Sequence, residues 1–253
     1  MRMCGRFTNS LTGEELGAYF DVSELDDYAN APAWNIRPTD PVPVIFESPR
    51  HTDDRAASAE AAAAAAFDAH ATERDDPDAV VRRLMAGRWS LVPSWSRELK
   101  TKFPTFNARS ETAAEKASFK NSVRSKRAIL PASGYYEWKT VGKAKTPYYI
   151  HDTDEPLAFA GLYSWWRAPG SDEWILTATI LTREAVGGLR DIHDRTPVTL
   201  PRHFVDTWLD PTIVGDQSLV DAAVAAATPV AEALDFHIVG PVTGDSPDLV
   251  NPL

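Results

Sequence analysis

Residues 127–140 read RAILPASGYYEWKT, and the reading of this stretch decides the fold. It is short and rich in aliphatic, aromatic and β-branched side chains, the texture of a strand. It recurs downstream in TPYYIHD (146–152), PLAFAGLYSWW (156–166) and EWILTATILT (173–182), with Gly, Pro and Asp turns between them. Upstream, NIRPTDPVPVIFE (35–47) reads as an extended, proline-punctuated approach followed by a strand, and GRWSLVPSW (87–95) as a strand ending in a proline turn. Helices are segregated from these runs. TAAEKASFKNSVRSKR (112–127) spaces Ala114, Ala117, Phe119 and Val123 as a modest amphipathic helix, and PRHFVDTWLD (201–210) and SLVDAAVAAA (218–227) read as two short ones. The pattern predicts an α+β, mostly-β single domain over residues 1–253 with a few flanking helices.

One tract interrupts it. AASAEAAAAAAFDAH (56–70) has little that is large enough to pack, and acidic stretches flank it. Arg50 to Asp78 is therefore read as an acidic, alanine-rich surface insertion joining two strands of one sheet. Charge is distributed unevenly: the chain carries a formal net charge of -10, yet residues 97–127 hold nine Lys or Arg against three Glu. An acidic whole repels polyanions, whereas a basic middle can serve one locally. A single cysteine excludes an intrachain disulfide and a multi-cysteine zinc site, which suits a reducing cytoplasm. No run of eighteen apolar residues and no signal-peptide layout is present, so the expected location is cytoplasmic, without a membrane partner.

Five short strings carry chemistry: CGRF (4–7), WNIRP (34–38), FNARSET (106–112), GYYEWK (134–139) and DIHDRTP (191–197). Glu137 lies among aromatics, where desolvation raises a carboxyl pKa toward general-acid duty; the alternative is an edge-strand carboxylate facing water. Asn107, Arg109 and Glu111 alternate, so a strand would set all three on one polar face; the alternative is a turn starting a helix at Ser110. Cys4 is the decisive residue. If translation starts at Met3 and that methionine is removed, Cys4 offers an α-amine and a thiol on adjacent carbons, with reference pKa values of about 8 and 8.5. The amine forms an imine with an aldehyde, and the thiol closes on the imine carbon to give a five-membered thiazolidine. Met1 and Arg2, if retained, would lock the amine in an amide. They are expected to be absent from the active protein.

Taken together, the strings resemble the SOS response-associated peptidase (SRAP) domain family, whose members crosslink themselves to abasic sites in single-stranded DNA. The matching segments are Met3 to Phe7, Asn107 to Thr112, Gly134 to Trp138 and Ile192 to Pro197, in order. The resemblance implies curved antiparallel sheets around a DNA-binding groove, no cofactor or metal, a monomer, and single-stranded DNA containing abasic sites as partner. It makes Cys4 the crosslinking residue, Asn107 the amide that holds the reacting groups, Glu137 the acid/base at the sugar, and His193 a second proton-transfer group beside the leaving phosphate. Arg6, Arg109 and Arg195 would contact phosphates, and Pro38, Trp89 and Trp95 would shape the groove. The family's C-terminal Val-Asn-rich segment is replaced by HIVGPVTGDSPDLV (237–250), where no DNA contact is expected. Such a protein is an enzyme only in a qualified sense. Two other readings stay open: a cysteine peptidase using Cys4 and His193, and a non-covalent nucleic-acid-binding module in which Cys4 is incidental.

Overall fold

The computed structural model describes residues 5–25, 32–49 and 79–253. Cys4 and the predicted insertion Arg50 to Asp78 lie outside the described residues. In chain order the first elements are β1 (Phe7–Asn9), α1 (Gly13–Tyr19), β2 (Glu24–Leu25), β3 (Ala33–Ile36), β4 (Pro41–Pro49), β5 (Val80–Trp89), β6 (Asn107–Arg109) and α2 (Lys120–Ser125). There follow β7 (Arg127–Ala132), β8 (Gly134–Val141), β9 (Ala144–His151), β10 (Leu157–Arg167), β11 (Trp174–Glu184), β12 (Arg195–Pro197) and β13 (Thr199–Leu200). The chain ends with α3 (Arg202–Leu209), α4 (Gln217–Ala233) and β14 (Asp235–Ile238). Among the described residues, no helix is long and apolar enough to cross a membrane.

Strands β11, β10, β7, β4 and β5 pair in that order, and parallel pairing of Thr177 with Arg88 and Ala178 with Trp89 joins β5 back to β11. The result is a barrel-like sheet. A second sheet, in the order β14-β9-β8-β1-β3, is antiparallel throughout. Strand alternation sorts the side chains between two cores. Ala128, Leu130 and Phe159 join Phe7, Trp89 and Tyr135 between the sheets, whereas Ile129, Ala158 and Leu162 pack with Leu16, Phe20, Trp208 and Val220 under the helices. β4 and β5 are antiparallel from Pro41↔Arg88 to Pro49↔Val80, so residues 50–78 connect two paired strands of one sheet.

Two helices differ from expectation. The stretch 112–127 follows a 3-10 turn at Ser110–Thr112 and gives further turns and only six helical residues, Lys120–Ser125. Its buried apolar residues are Ala113, Phe119 and Val123. Ala113 and Phe119 are six apart and cannot share one face of a helix, so the chain breaks to bury both. Conversely, α4 runs past the expected end to Ala233, because Val220, Ala223, Ala227 and Ala231 continue one buried stripe.

Arg127, 2% exposed, ties these helices to the barrel. Its Nε donates to Trp208 O (2.7 Å), Nη1 to Val123 O and Arg124 O (3.0 Å each), and Nη2 to Asp210 O and to Ile213 O (2.9 Å). Carbonyls at the ends of α2 and α3, left without partners by the helix geometry, are thereby satisfied. Gly134 has a different constraint: a Cβ there would come within 2.4 Å of the Tyr149 hydroxyl. This glycine is required by the close approach of a ring that reaches Thr8 Oγ1 (3.0 Å).

Candidate functional site

The fold brings the five strings into mutual contact. β1 lies between β8 and β3, with Phe7 opposite Tyr135 on one side and Ile36 on the other, which joins CGRF to GYYEWK and WNIRP. The Phe7 ring meets Trp89 edge-on at 4.9 Å, and Trp89 meets Phe106 at 5.7 Å while its Nε1 donates to Phe106 O (2.8 Å). FNARSET is thus held to the first strand through Trp89. The Tyr135 hydroxyl lies 2.8 Å from Thr196 Oγ1, and Arg195 grips Glu111, which secures DIHDRTP to both neighbours. None of these contacts is local in sequence; only the sheet pairing creates them.

Glu137 is 3% exposed, so it meets the desolvation condition that the sequence argument set and does not face water from an edge. Tyr136 N donates to Arg6 O at 3.0 Å. Carried two residues further, beyond the last paired residues, the Phe7↔Tyr135 register brings Gly5 to the level of Glu137. Asn107 is buried on β6, paired with Ile180 of β11. The expected common face of Asn107, Arg109 and Glu111 does not form: the strand ends at Arg109, which is exposed, and Glu111 sits in the 3-10 turn. His193 Nδ1 accepts from Arg195 N–H at 3.1 Å, with a carboxylate oxygen of Asp194 at 3.0 Å.

Arg195 is buried and spends Nη1 and Nη2 on Glu111 (2.6 and 3.0 Å) and Nη2 also on Thr182 O (2.5 Å). It binds two strings together with the atoms that a phosphate contact would use. Burial works to raise the Glu111 carboxyl, but the Arg195 hydrogen bonds, a backbone hydrogen bond and the Arg195 and Arg109 charges outweigh it, and the net direction is below the ordinary value of 4.5. A folded-state pKa below the unfolded one contributes stability above that unfolded value, which is lost as pH falls through the lower folded value. Acid titration followed by circular dichroism is therefore expected to show Glu111→Gln less stable than wild type at neutral pH, with the difference closing below about pH 4.5. An equal difference at all pH values would count against the pair.

The other predicted contacts separate by exposure. Trp89 is fully buried, so it acts on the surface only through Phe7 and Phe106. Pro38 is half-buried in the turn after β3. Trp95 is 63% exposed on the loop leading to Asn107, and Phe103 on the same loop is 70% exposed with the Lys102 ammonium 5.6 Å from its ring. The indole of Trp166 donates to Ser96 O at 2.8 Å and fixes that loop to the barrel. Arg6 donates through Nη1 to Val242 O (2.6 Å) and Asn35 Oδ1 (3.3 Å), and burial, then Arg37, push its guanidinium down against Tyr136. Sequence reasoning passed over Asn35 and Phe103, although both lie in or beside strings it had singled out. It had no means of finding residues 242–245 beside Arg6. Among the described residues, no three His, Cys, Asp or Glu side chains converge to hold a metal ion.

Comparison with known proteins gives the family and the fold. A family model described as SOS response associated peptidase (SRAP) matches residues 3–244. The abasic site processing protein YoqW of Bacillus subtilis is 32% identical over 212 residues, 83% of this chain and 81% of that protein. The abasic site processing protein HMCES of Gallus gallus is 33% identical over 208 residues, covering 71% of this chain and 60% of that longer protein. A solved structure of a protein from Bacteroides thetaiotaomicron superposes with a TM-score of 0.71 at 22% identity, over 99% of this chain and 100% of that one, a likeness of fold.

Proposed function

Since the chain belongs to the SOS response associated peptidase (SRAP) family, we propose that it processes abasic sites in DNA, capturing the lesion in a single strand through Cys4. The free amine of Cys4 attacks the C1′ aldehyde of the ring-opened sugar, losing water to form an imine. The thiol sulfur then bonds to the imine carbon and its proton passes to nitrogen, closing the thiazolidine. Glu137 protonates the ring oxygen on opening and moves the protons of imine formation, Asn107 holds the reacting groups, and His193 serves as the second proton-transfer group. Exposed Trp95 and Phe103, with Arg97, Lys100 and Lys102 around them, suit stacking of bases and neutralisation of phosphates along a strand.

The observation that carries the reading is the burial of Glu137 at the register of Gly5, one peptide bond from Cys4. The test is incubation with a single-stranded oligonucleotide containing one abasic site, with intact mass establishing that the chain begins at Cys4. A covalent adduct that survives denaturation is expected from the wild type and none from Cys4→Ala. Protein beginning at Cys4 that yields no adduct would overturn the proposal.

A further inference from the structure

Residues 239–250 close over the outer face of β8 and β9, where Tyr136, Tyr149, Val239 and Val242 form a third, small core. The turn at 242–245 then reaches across to β3 and β1. Val242 O accepts from Arg6 Nη1 (2.6 Å), Gly244 O from Asn35 Nδ2 (2.5 Å), and Asp245 Oδ1 from the Trp34 backbone N–H (2.6 Å). Asn35 Oδ1 takes a further hydrogen bond from Arg6 (3.3 Å), and the Tyr136 hydroxyl donates to Trp34 O (2.9 Å). Burial, followed by the charges of Tyr149 and Asp245, pushes the Tyr136 phenol upward, so it stays protonated as that donor. Gly244 holds φ at +75°, a conformation that favours glycine and lets the turn present its carbonyl to Asn35.

These bonds form one chain of contacts that ends at Arg6, two residues from Cys4. The Arg6 main chain is held by Tyr136, its guanidinium is held by Val242 and Asn35, and its cation lies 5.6 Å from the Trp138 ring. We propose that Asp245 is a positioning residue: by fixing Trp34 and Asn35 it completes a C-terminal clamp on Arg6, and so aims the segment that carries the reacting cysteine. The inference rests on the reading of Cys4 given above. Asp245 lies one residue beyond the segment that the family model matches, within the stretch where sequence reasoning placed no function.

Orientation of reacting groups contributes to rate rather than to binding, so the clamp acts on the crosslinking step at saturating DNA. Asp245→Asn retains an Oδ1 acceptor for Trp34 N–H, whereas Asp245→Ala removes it. Time courses against abasic single-stranded DNA are expected to give a saturating rate about 10-fold lower for Asp245→Ala, near wild type for Asp245→Asn, with unchanged half-saturation in Asp245→Ala relative to Asp245→Asn. Hydrogen–deuterium exchange of the DNA-free protein should show faster exchange at residues 5–7 in Asp245→Ala alone. Wild-type rate and exchange in Asp245→Ala would overturn the clamp, as would equal slowing of both variants, since charge and not the acceptor would then be responsible. If the wild type formed no adduct while exchange still rose in Asp245→Ala, the proposed function would fall and the clamp would stand.

Discussion

Glu137→Gln is expected to slow formation of the abasic-site adduct by about 100- to 10,000-fold, the range general acid–base groups contribute, while leaving non-covalent retention of the same DNA within about twofold of wild type. Glutamine has the shape of glutamate and keeps hydrogen-bonding capacity, but has no proton to exchange with the sugar oxygen or the imine nitrogen. Burial sharpens the contrast. At 3% exposure, with fully buried Tyr135 and Tyr136 preceding it on β8, Glu137 occupies a place where bulk water is a poor substitute for it. A quenched time course resolved on a denaturing gel measures the rate directly, and filter binding of the same abasic strand after its aldehyde has been reduced to an alcohol, which cannot form the imine, measures retention. A Glu137→Gln rate within threefold of wild type would remove the acid/base role. Loss of retention together with loss of rate would instead make Glu137 a binding residue.

Arg127→Met is expected to cost about 3–5 kcal/mol of stability, the scale of an interior polar network broken from one side. Methionine fills much of the volume, but Val123, Arg124, Trp208, Asp210 and Ile213 lose a donor to their carbonyls together. Each carbonyl that stays buried and unpaired costs roughly 1–3 kcal/mol, and water reaching some of them keeps the total below the sum. Arg127→Lys does not restore the network, because an ammonium donates from one point and a guanidinium from a planar fork. Urea unfolding should show the midpoint displaced with the slope unchanged. A loss under about 1 kcal/mol in Arg127→Met would mean that the helix ends hold without it.

The two residues illustrate what sequence reading can reach. The burial of Glu137 was legible because its neighbours on the chain are aromatic, and Gly134 to Glu137 are all buried together. Arg127 was counted only as one more cation in a basic run, since nothing local distinguishes a solvated arginine from one that binds five carbonyls, three of them on residues 81 or more positions away. Arg195 repeats the lesson: the resemblance implied a phosphate contact, and only the fold shows its guanidinium bonded to Glu111 and Thr182. The helix expected over 112–127 was misjudged for a related reason. Periodicity recorded which side chains were apolar, but two cores, rather than one helix face, settled where the chain had to break.

By itself, the sequence determined the mostly-β character, the extended texture of residues 127–182, the family, and the chemistry open to Cys4, because these depend on side-chain type at fixed spacing along a single chain; that 127–140 folds as two strands, β7 and β8, was left to the tertiary structure. Tertiary structure alone decided that the five strings touch, that Trp89 lies inside and Trp95 outside, and that residues 242–245 reach Arg6. The physical reason is that strand pairing and core packing join residues as far apart as Arg6 and Val242, and the free energy of those contacts belongs to the pair of surfaces, not to either segment of sequence.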